Sequence, residues 1–155
     1  MIEVMKTNKA KAIYFDMDGT IADLYGVDGW LDDLINRNTR PYKEAKVMLN
    51  MNVLARKLNA LQRKGYTIGV ITWLPKNAND EYNEEVEKVK RNWLKKHLKT
   101  VKWNKIHVVT YGTPKQEVVN EPLGILFDDE ERNRVNWKGQ AFGVDNIIDI
   151  LKRFA

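Results

Sequence analysis

The stretch "AIYFDMDGTIAD", residues Ala12 to Asp23, decides the fold class. Four apolar or aromatic residues run directly into Asp16, and Asp18 follows after one intervening residue. In extended backbone, residues two apart point to the same side, so the two carboxylates repel each other. Gly19 then permits a turn that other residues resist. A desolvated carboxylate is costly unless it is paired or metal-bound, so this motif calls for a cation nearby.

An Asp-Gly turn and a calcium loop are two other interpretations of this motif. An Asp-Gly turn with a solvated carboxylate is common in loops and stays open on spacing alone. A calcium loop of the EF-hand type fails, because that pattern expects a third ligand at position 20 and glycine at 21. This chain has Thr20 and Ile21 there.

The composition is that of an ordinary globular protein. At 155 residues, 43% hydrophobic and 30% charged, the chain fits one domain over residues 1–155. No apolar run approaches the roughly 20 residues of a membrane span. The start "MIEVMKTNKAK" has no hydrophobic core of a signal peptide, so we expect a cytoplasmic protein without a membrane partner. The oligomeric state cannot be inferred from the sequence.

Cysteine is absent, which excludes disulfides, Cys-zinc sites and a thiol nucleophile. The formal charge of +5 is compatible with an anionic partner, either a phosphorylated molecule or nucleic acid, but does not require one.

Short apolar runs alternate with helical patterns along the chain. The runs are strand-length and rich in Val, Ile or aromatics: 12–15, 67–72, 106–110, 124–127 and 140–144. The segments between them predict helices: 44–64, 81–99, 114–120, 130–136 and 145–153. This alternation predicts an α/β fold, a Rossmann-like three-layer sandwich with a five-stranded parallel sheet and no large cap domain.

Ligands of such sheets bind outside the carboxyl ends of the strands, so the residues that follow each run matter most. Asp128 and Asp129 follow the fourth run. A helix start would explain the later acids of "FDDEE", but it explains Asp128 less well, because that residue directly abuts the strand. If the first and fourth strands are close, Asp16 and Asp128 converge, and oxygen-only ligands of that kind suit Mg²⁺.

Two further positions at this edge carry weaker signals. Thr72 ends a run and could donate to a phosphate oxygen, although threonine is also simply a good strand residue. In "YGTPKQEV", Thr113 and Gln116 form a capping-box pattern that places Lys115 in the first helical turn. The dipole there disfavours a cation unless an anion binds, so replacing Lys115 is expected to leave stability unchanged or slightly raised. A stray surface lysine is the alternative.

These positions together resemble the haloacid dehalogenase (HAD) superfamily of phosphotransferases. The chain reads "DMDGT", "VIT", "TPK" and "FDD" in the order of that superfamily's motifs, each after the right element, over residues 12–129. The first motif is the specific one. "DMDGTIAD" also weakly resembles the start of the 5′-deoxyribonucleotidase group.

The resemblance implies a role for each matched residue. It makes Asp16 the nucleophile that becomes an aspartyl-phosphate and Asp18 the general acid and then base. Thr72 and Lys115 would hold the phosphoryl oxygens. The Mg²⁺ ligands would be drawn from the acidic residues of the first and last motifs: Asp16, the backbone carbonyl of Asp18, Asp128, and Asp129 directly or through water.

Residues 21–43 are too short for a full cap domain but long enough for a flap or small lid. Tyr25, Trp30 and Tyr42 lie there, and Trp73 follows Thr72. Faces of Tyr25, Trp30 and Trp73 could stack on a base of the substrate, although packing against the core is the commoner role of a tryptophan.

Three functions follow from these observations. The first is a phosphatase of small molecules, in particular a nucleotidase. The second is the same chemistry on a phosphorylated nucleic-acid end, for which the basic stretch 81–105 could track a backbone; a solvated helix face is favoured there. The third is a catalytically silent binding module, against which the presence of Asp18 argues.

Overall fold

The apolar run that precedes Asp16 forms the central strand of a five-stranded parallel sheet. The computed structural model describes residues 11–120 and 124–154. In spatial order the strands are β5 (Lys105–Val109), β4 (Thr67–Trp73), β1 (Ala12–Phe15), β6 (Ile125–Phe127) and β7 (Ala141–Phe142). Every residue of β1 is buried, as expected of a strand covered on both faces. The predicted α/β class and the five-stranded parallel sheet are confirmed.

Helices and two very short strands occupy the connections. The helices are α1 (Trp30–Ile35), α2 (Arg40–Glu44), α3 (Met51–Arg63), α4 (Asp80–His97), α5 (Glu131–Asn136) and α6 (Ile147–Leu151). A second, two-stranded antiparallel sheet joins β2 (Ala22–Asp23) to β3 (Lys46–Val47). Two 3₁₀ turns cover Leu24–Gly26 and Lys115–Glu117.

Alternate residues of β1 serve the two faces of the main sheet. Ile13 and Phe15 belong to the larger core, which packs the sheet against apolar residues of α3, α4 and α6. Ala12 and Tyr14 face a smaller cluster that includes Trp137, just after α5. The alternation follows from the two-residue period of a strand.

Two of the predicted helices differ in the structure. The helix expected over 44–64 begins only at Met51, because Asn50 caps it by accepting a hydrogen bond from the Val53 amide at 3.1 Å. Val47, which lies within the predicted helix, is instead exposed in β3.

The helix expected over 114–120 is a 3₁₀ turn of three residues without a side-chain cap. The turn has no side-chain cap and the Thr113 hydroxyl donates to the Thr110 carbonyl at 2.8 Å, so the predicted capping box is absent from this part of the structure.

The segment expected to form a flap, 21–43, leads from β2 through α1 into α2. Leu24 and Tyr42 pack with Leu74, Tyr82 and Val86 in a third buried cluster, which joins this segment to the beginning of α4. The segment therefore rests on the loop after β4, close to the carboxyl edge of the sheet.

Within residues 11–120 and 124–154, no helix combines the length and hydrophobicity needed to cross a membrane. The N-terminal stretch on which the signal-peptide argument rests lies almost entirely outside the described residues.

Candidate active site

Asp16 lies at the carboxyl end of β1, and its position depends on the neighbouring strand. Its backbone amide donates to the Phe127 carbonyl at 2.9 Å, which ties the ends of β1 and β6 together. Asp128 follows β6 directly, so strand pairing brings residues 112 positions apart in sequence to one place. Asp16 and Asp128 therefore converge, as the sequence predicts for the case in which the first and fourth strands are neighbours.

Asp128 is fully buried and held on several sides. Its Oδ1 accepts from the Glu130 amide at 2.9 Å, and its Oδ2 accepts from Asn133 Nδ2 at 3.1 Å. Asn133 lies on α5 and was not singled out from the sequence. Its spacing from Asp128, one helical turn and a residue later, is the signal that points to it.

Asp129 approaches Asp16 through Thr20. The Thr20 hydroxyl lies 3.0 Å from Asp16 Oδ2 and also accepts from the Asp129 amide at 3.2 Å. Gly19 lies beneath this contact with φ +82°, and a Cβ there would overlap the Asp129 carboxylate. Glycine is therefore required both by the backbone conformation and by the close approach.

The carboxylates of Asp16, Asp128 and Asp129 form the acidic cluster, in which one oxygen from each lies within 4.8 Å of the others. Burial raises the pKa of Asp129 to about 8, with its hydrogen bond to Asp16 and the Asp16 charge adding to the effect. Burial also raises the pKa of Asp128 to about 6, an effect that the Asp16 charge reinforces. Crowded carboxylate oxygens suit a hard divalent cation such as Mg²⁺, which relieves their repulsion.

Lys115 lies between two members of the acidic cluster. Its Nζ donates to Asp16 Oδ1 at 2.9 Å and to Asp128 Oδ2 at 2.7 Å. Burial opposes the charged ammonium, but the charges of Asp16 and Asp128 outweigh it and raise the Lys115 pKa.

The sequence predicts that replacing Lys115 leaves stability unchanged or slightly raised, because it places Lys115 in the first turn of a capped helix. That placement is wrong. Lys115 is only 1% exposed, and it is bound to two carboxylates rather than standing at the end of a helix dipole. The alternative of a stray surface lysine is wrong as well.

Asp18 points away from the acidic cluster, toward α4. Its Oδ2 accepts from Lys90 Nζ at 2.8 Å, and the same ammonium donates to Thr72 Oγ1 at 2.7 Å. Burial raises the Asp18 pKa; the charge of Lys90 counters this, while the charge of Asp16 adds to it. Thr72 is fully buried, and it is not among the residues that line the adjacent cavity.

Lys90 was not singled out from the sequence, which treated its stretch as a solvated face. It is 1% exposed. The signal was its spacing, four residues after Val86 and four before Leu94, both buried on α4.

A cavity of about 490 Å³ opens over Asp16, Asp18 and Lys115. This volume is in the range that small-molecule sites occupy. The segment before α2 supplies one wall, and the loop after β4 supplies another. Aromatic side chains account for much of the lining: Tyr25, Trp30, Tyr42, Trp73, Tyr82 and Tyr111.

The five tryptophans divide between core and cavity. Trp93 and Trp137 are buried and Trp103 packs against the core, as the commoner interpretation predicted. Trp30 lines the cavity and meets the Tyr25 ring edge-on with centroids 4.9 Å apart. Trp73 also lines it, but Arg132 covers its ring at 4.7 Å, so less of this ring is available to a ligand.

Sequence comparison finds no matching family model and no matching curated protein. Among solved structures, the fold is similar to that in the crystal structure of D,D-heptose 1,7-bisphosphate phosphatase from Burkholderia thailandensis. The two align with a TM-score of 0.55 and 14% identity over 93% of this chain and 97% of that chain. At this identity the likeness establishes the fold, and the chain shares it with a phosphatase along nearly its whole length.

Proposed function

We propose that the protein is a Mg²⁺-dependent phosphomonoester hydrolase of the HAD type that acts through an aspartyl-phosphate intermediate. One observation carries the proposal: two carboxylates with different surroundings, Asp16 and Asp18, open into one cavity beside a buried ammonium. Such a pair supplies a nucleophile and a separate acid–base group. The HAD motifs and the fold shared with a phosphatase support the same conclusion.

The chemistry divides into two displacements. An oxygen of Asp16 attacks phosphorus while the ester oxygen leaves with a proton from Asp18. Asp18 then takes a proton from water, whose oxygen attacks phosphorus and breaks the Asp16–phosphorus bond. The raised Asp18 pKa favours this role, because an acid must hold its proton near neutral pH.

Phosphoryl transfer needs mainly positioning and charge neutralisation. Lys115 Nζ donates two hydrogen bonds to Asp16 and Asp128, so one N–H remains for a phosphoryl oxygen. The acidic cluster would hold Mg²⁺, with the Asp18 backbone carbonyl as a further ligand. When bound, the ion would neutralise charge on the phosphoryl group.

The aromatic lining supports a leaving group with a flat ring, and we propose a nucleoside monophosphate as the substrate. Tyr25 is half exposed at the cavity, beside Trp30, and Tyr111 is 44% exposed on the other side. The faces of these aromatic rings can stack on any nucleobase.

The test of the mechanism compares Asp16→Asn, Asp18→Asn and wild type on a generic phosphate ester in Mg²⁺. Asp16→Asn should abolish turnover without unfolding the protein, because an amide cannot form the aspartyl-phosphate. Asp18→Asn should lower kcat by at least about 10²-fold. Asp149→Asn, an exposed acid on α6, is the matched control. Ordinary turnover by Asp16→Asn would refute the mechanism.

A screen of nucleoside monophosphates, sugar phosphates and 3′- or 5′-phosphorylated oligonucleotides tests the substrate. A strong preference for an oligonucleotide end, with steep salt dependence, would favour the macromolecular alternative. Tight binding of phosphate compounds with no turnover of any would favour the silent binding module.

A further inference from the structure

Lys90 occupies a position that the proposed reaction does not use. It lies in the middle of α4 at 1% exposure, facing the sheet. Its Nζ donates to Asp18 Oδ2 at 2.8 Å, to Thr72 Oγ1 at 2.7 Å and to the Trp73 carbonyl at 2.8 Å.

These three bonds use every donor of the ammonium. Lys90 therefore has no N–H left for a substrate oxygen, and it is not among the residues that line the cavity. Whatever Lys90 contributes to the reaction, it contributes through the groups that it holds.

Packing alone does not favour a lysine here. Methionine has similar length and would fill the same space without the desolvation of a charge. A buried lysine with three well-placed acceptors is thus better explained by the geometry that it imposes on those acceptors.

We propose that Lys90 is a positioning residue that fixes the Asp18 carboxylate for the reaction. Its bond to Asp18 Oδ2 anchors one oxygen, and Oδ1, which receives no hydrogen bond from the described residues, is left to carry the transferred proton. Thr72 Oγ1 also accepts from Lys90, so the buried end of β4 holds the ammonium in place beside Asp18. This inference rests on the proposed function.

The proposal predicts a dependence on the leaving group. An alkyl phosphate must receive a proton on its ester oxygen when the phosphorus–oxygen bond breaks. A p-nitrophenyl phosphate leaves as a stable phenolate and needs no such proton. Loss of the Asp18 anchor should therefore impair the first substrate far more than the second.

The experiment measures kcat and KM of Lys90→Met for ethyl phosphate and p-nitrophenyl phosphate in Mg²⁺. We expect kcat/KM, which reports the first displacement alone, to fall about 10²-fold for ethyl phosphate and less than about threefold for p-nitrophenyl phosphate. The second displacement is common to both esters, so any loss of kcat that arises there is shared by both. Lys95→Met, an exposed lysine of the same helix, is the matched control and should change kcat/KM for neither ester. In an Asp18→Asn background, Lys90→Met should add no further selective loss.

The outcomes separate this inference from the proposed function. If Asp18→Asn lacks the selective loss, or wild type hydrolyses neither ester, the proposed function fails. If Asp18→Asn shows the selective loss of kcat/KM and Lys90→Met lowers kcat/KM for both esters equally, for neither, or raises it, the positioning role is overturned. Thermal unfolding of the variant is measured in parallel, and Lys90→Gln carries the same test if Lys90→Met does not fold.

Discussion

Two buried lysines lie near the same cavity on different elements, and they differ in the number of N–H donors that remain for a ligand. Lys115 and Lys90 are both 1% exposed, and each is paired with carboxylate. Lys115 stands in a three-residue turn, lines the cavity and keeps one free N–H. Lys90 lies in an 18-residue helix and does not line the cavity, and all three of its N–H donors are used in hydrogen bonds.

Under the proposed function, the number of free N–H donors distinguishes Lys115 as a ligand-binding lysine from Lys90 as a positioning lysine, although burial and charge are alike. The two lysines are also expected to differ in the cost of their removal. The partners of Lys115 are buried, whereas the Asp18 side chain is 16% exposed at the cavity and can be hydrated.

The largest effect is expected for Lys115→Met. Asp16 and Asp128 would be left close together without the ammonium, and breaking a buried ion pair from one side costs about 3–5 kcal/mol. Urea unfolding in a chelator should show this loss, and added Mg²⁺ should recover part of it. Lys95→Met serves as the control. A loss below about 1 kcal/mol would place the two lysines in one class and contradict the comparison.

The next effect concerns the metal and pH. Asp128 and Asp129 have raised pKa values, to about 6 and about 8, so the folded metal-free protein holds protons that the unfolded chain has lost. Its stability should therefore fall as pH rises from about 4 to about 8.

Mg²⁺ binds the charged carboxylates, so its stabilisation should grow over the same range and reach about 2.7 kcal/mol at a concentration 100 times its Kd. Melting temperatures with Mg²⁺ and with chelator should diverge as pH rises. A gap that stays constant or narrows would contradict the acidic cluster as the metal site, and Asp128→Ala should erase the gap.

A smaller effect is expected for Lys90→Met. Its acceptors lose a charged donor, but water from the cavity can reach Asp18, so we expect a loss of about 1–3 kcal/mol. Measured with Asp18→Asn and the double variant, the stability losses should be non-additive, because the two side chains are in contact. Strict additivity would mean that the contact contributes nothing to the fold.

The smallest effect is expected for Thr113→Ala. The Thr113 hydroxyl bonds Thr110 in an exposed turn just before Lys115. Its removal should cost about 0.5 kcal/mol or less, since surface changes usually stay in that range. A loss as large as that of a helix cap, about 1 kcal/mol, would support the capping box predicted from the sequence after all.

The sequence alone was sufficient for the strands and for the edge of the sheet at which the acidic residues collect. Apolar runs of four to six residues, each ended by a polar group, predict buried parallel strands because both faces of such strands are covered. The pair Asp16 and Asp18 next to Gly19 resembles the first HAD motif, and its role in phosphoryl transfer stays a prediction from that resemblance. The limits of the helices followed less closely from the sequence, because an apolar period does not mark the residue at which a helix begins. The hydrogen bond accepted by Asn50 sets the start of α3.

The tertiary structure decided which side chains from distant parts of the chain meet at the site. That Asp128 meets Asp16 depends on β6 lying beside β1, a strand order that local patterns do not contain. The sequence marks Lys115 only through the family resemblance and does not mark Lys90, because the acceptors of both ammonium groups come from distant parts of the chain. Local periodicity specifies which residues are buried in an element, whereas the partners of a buried charge are set only when separate elements pack together.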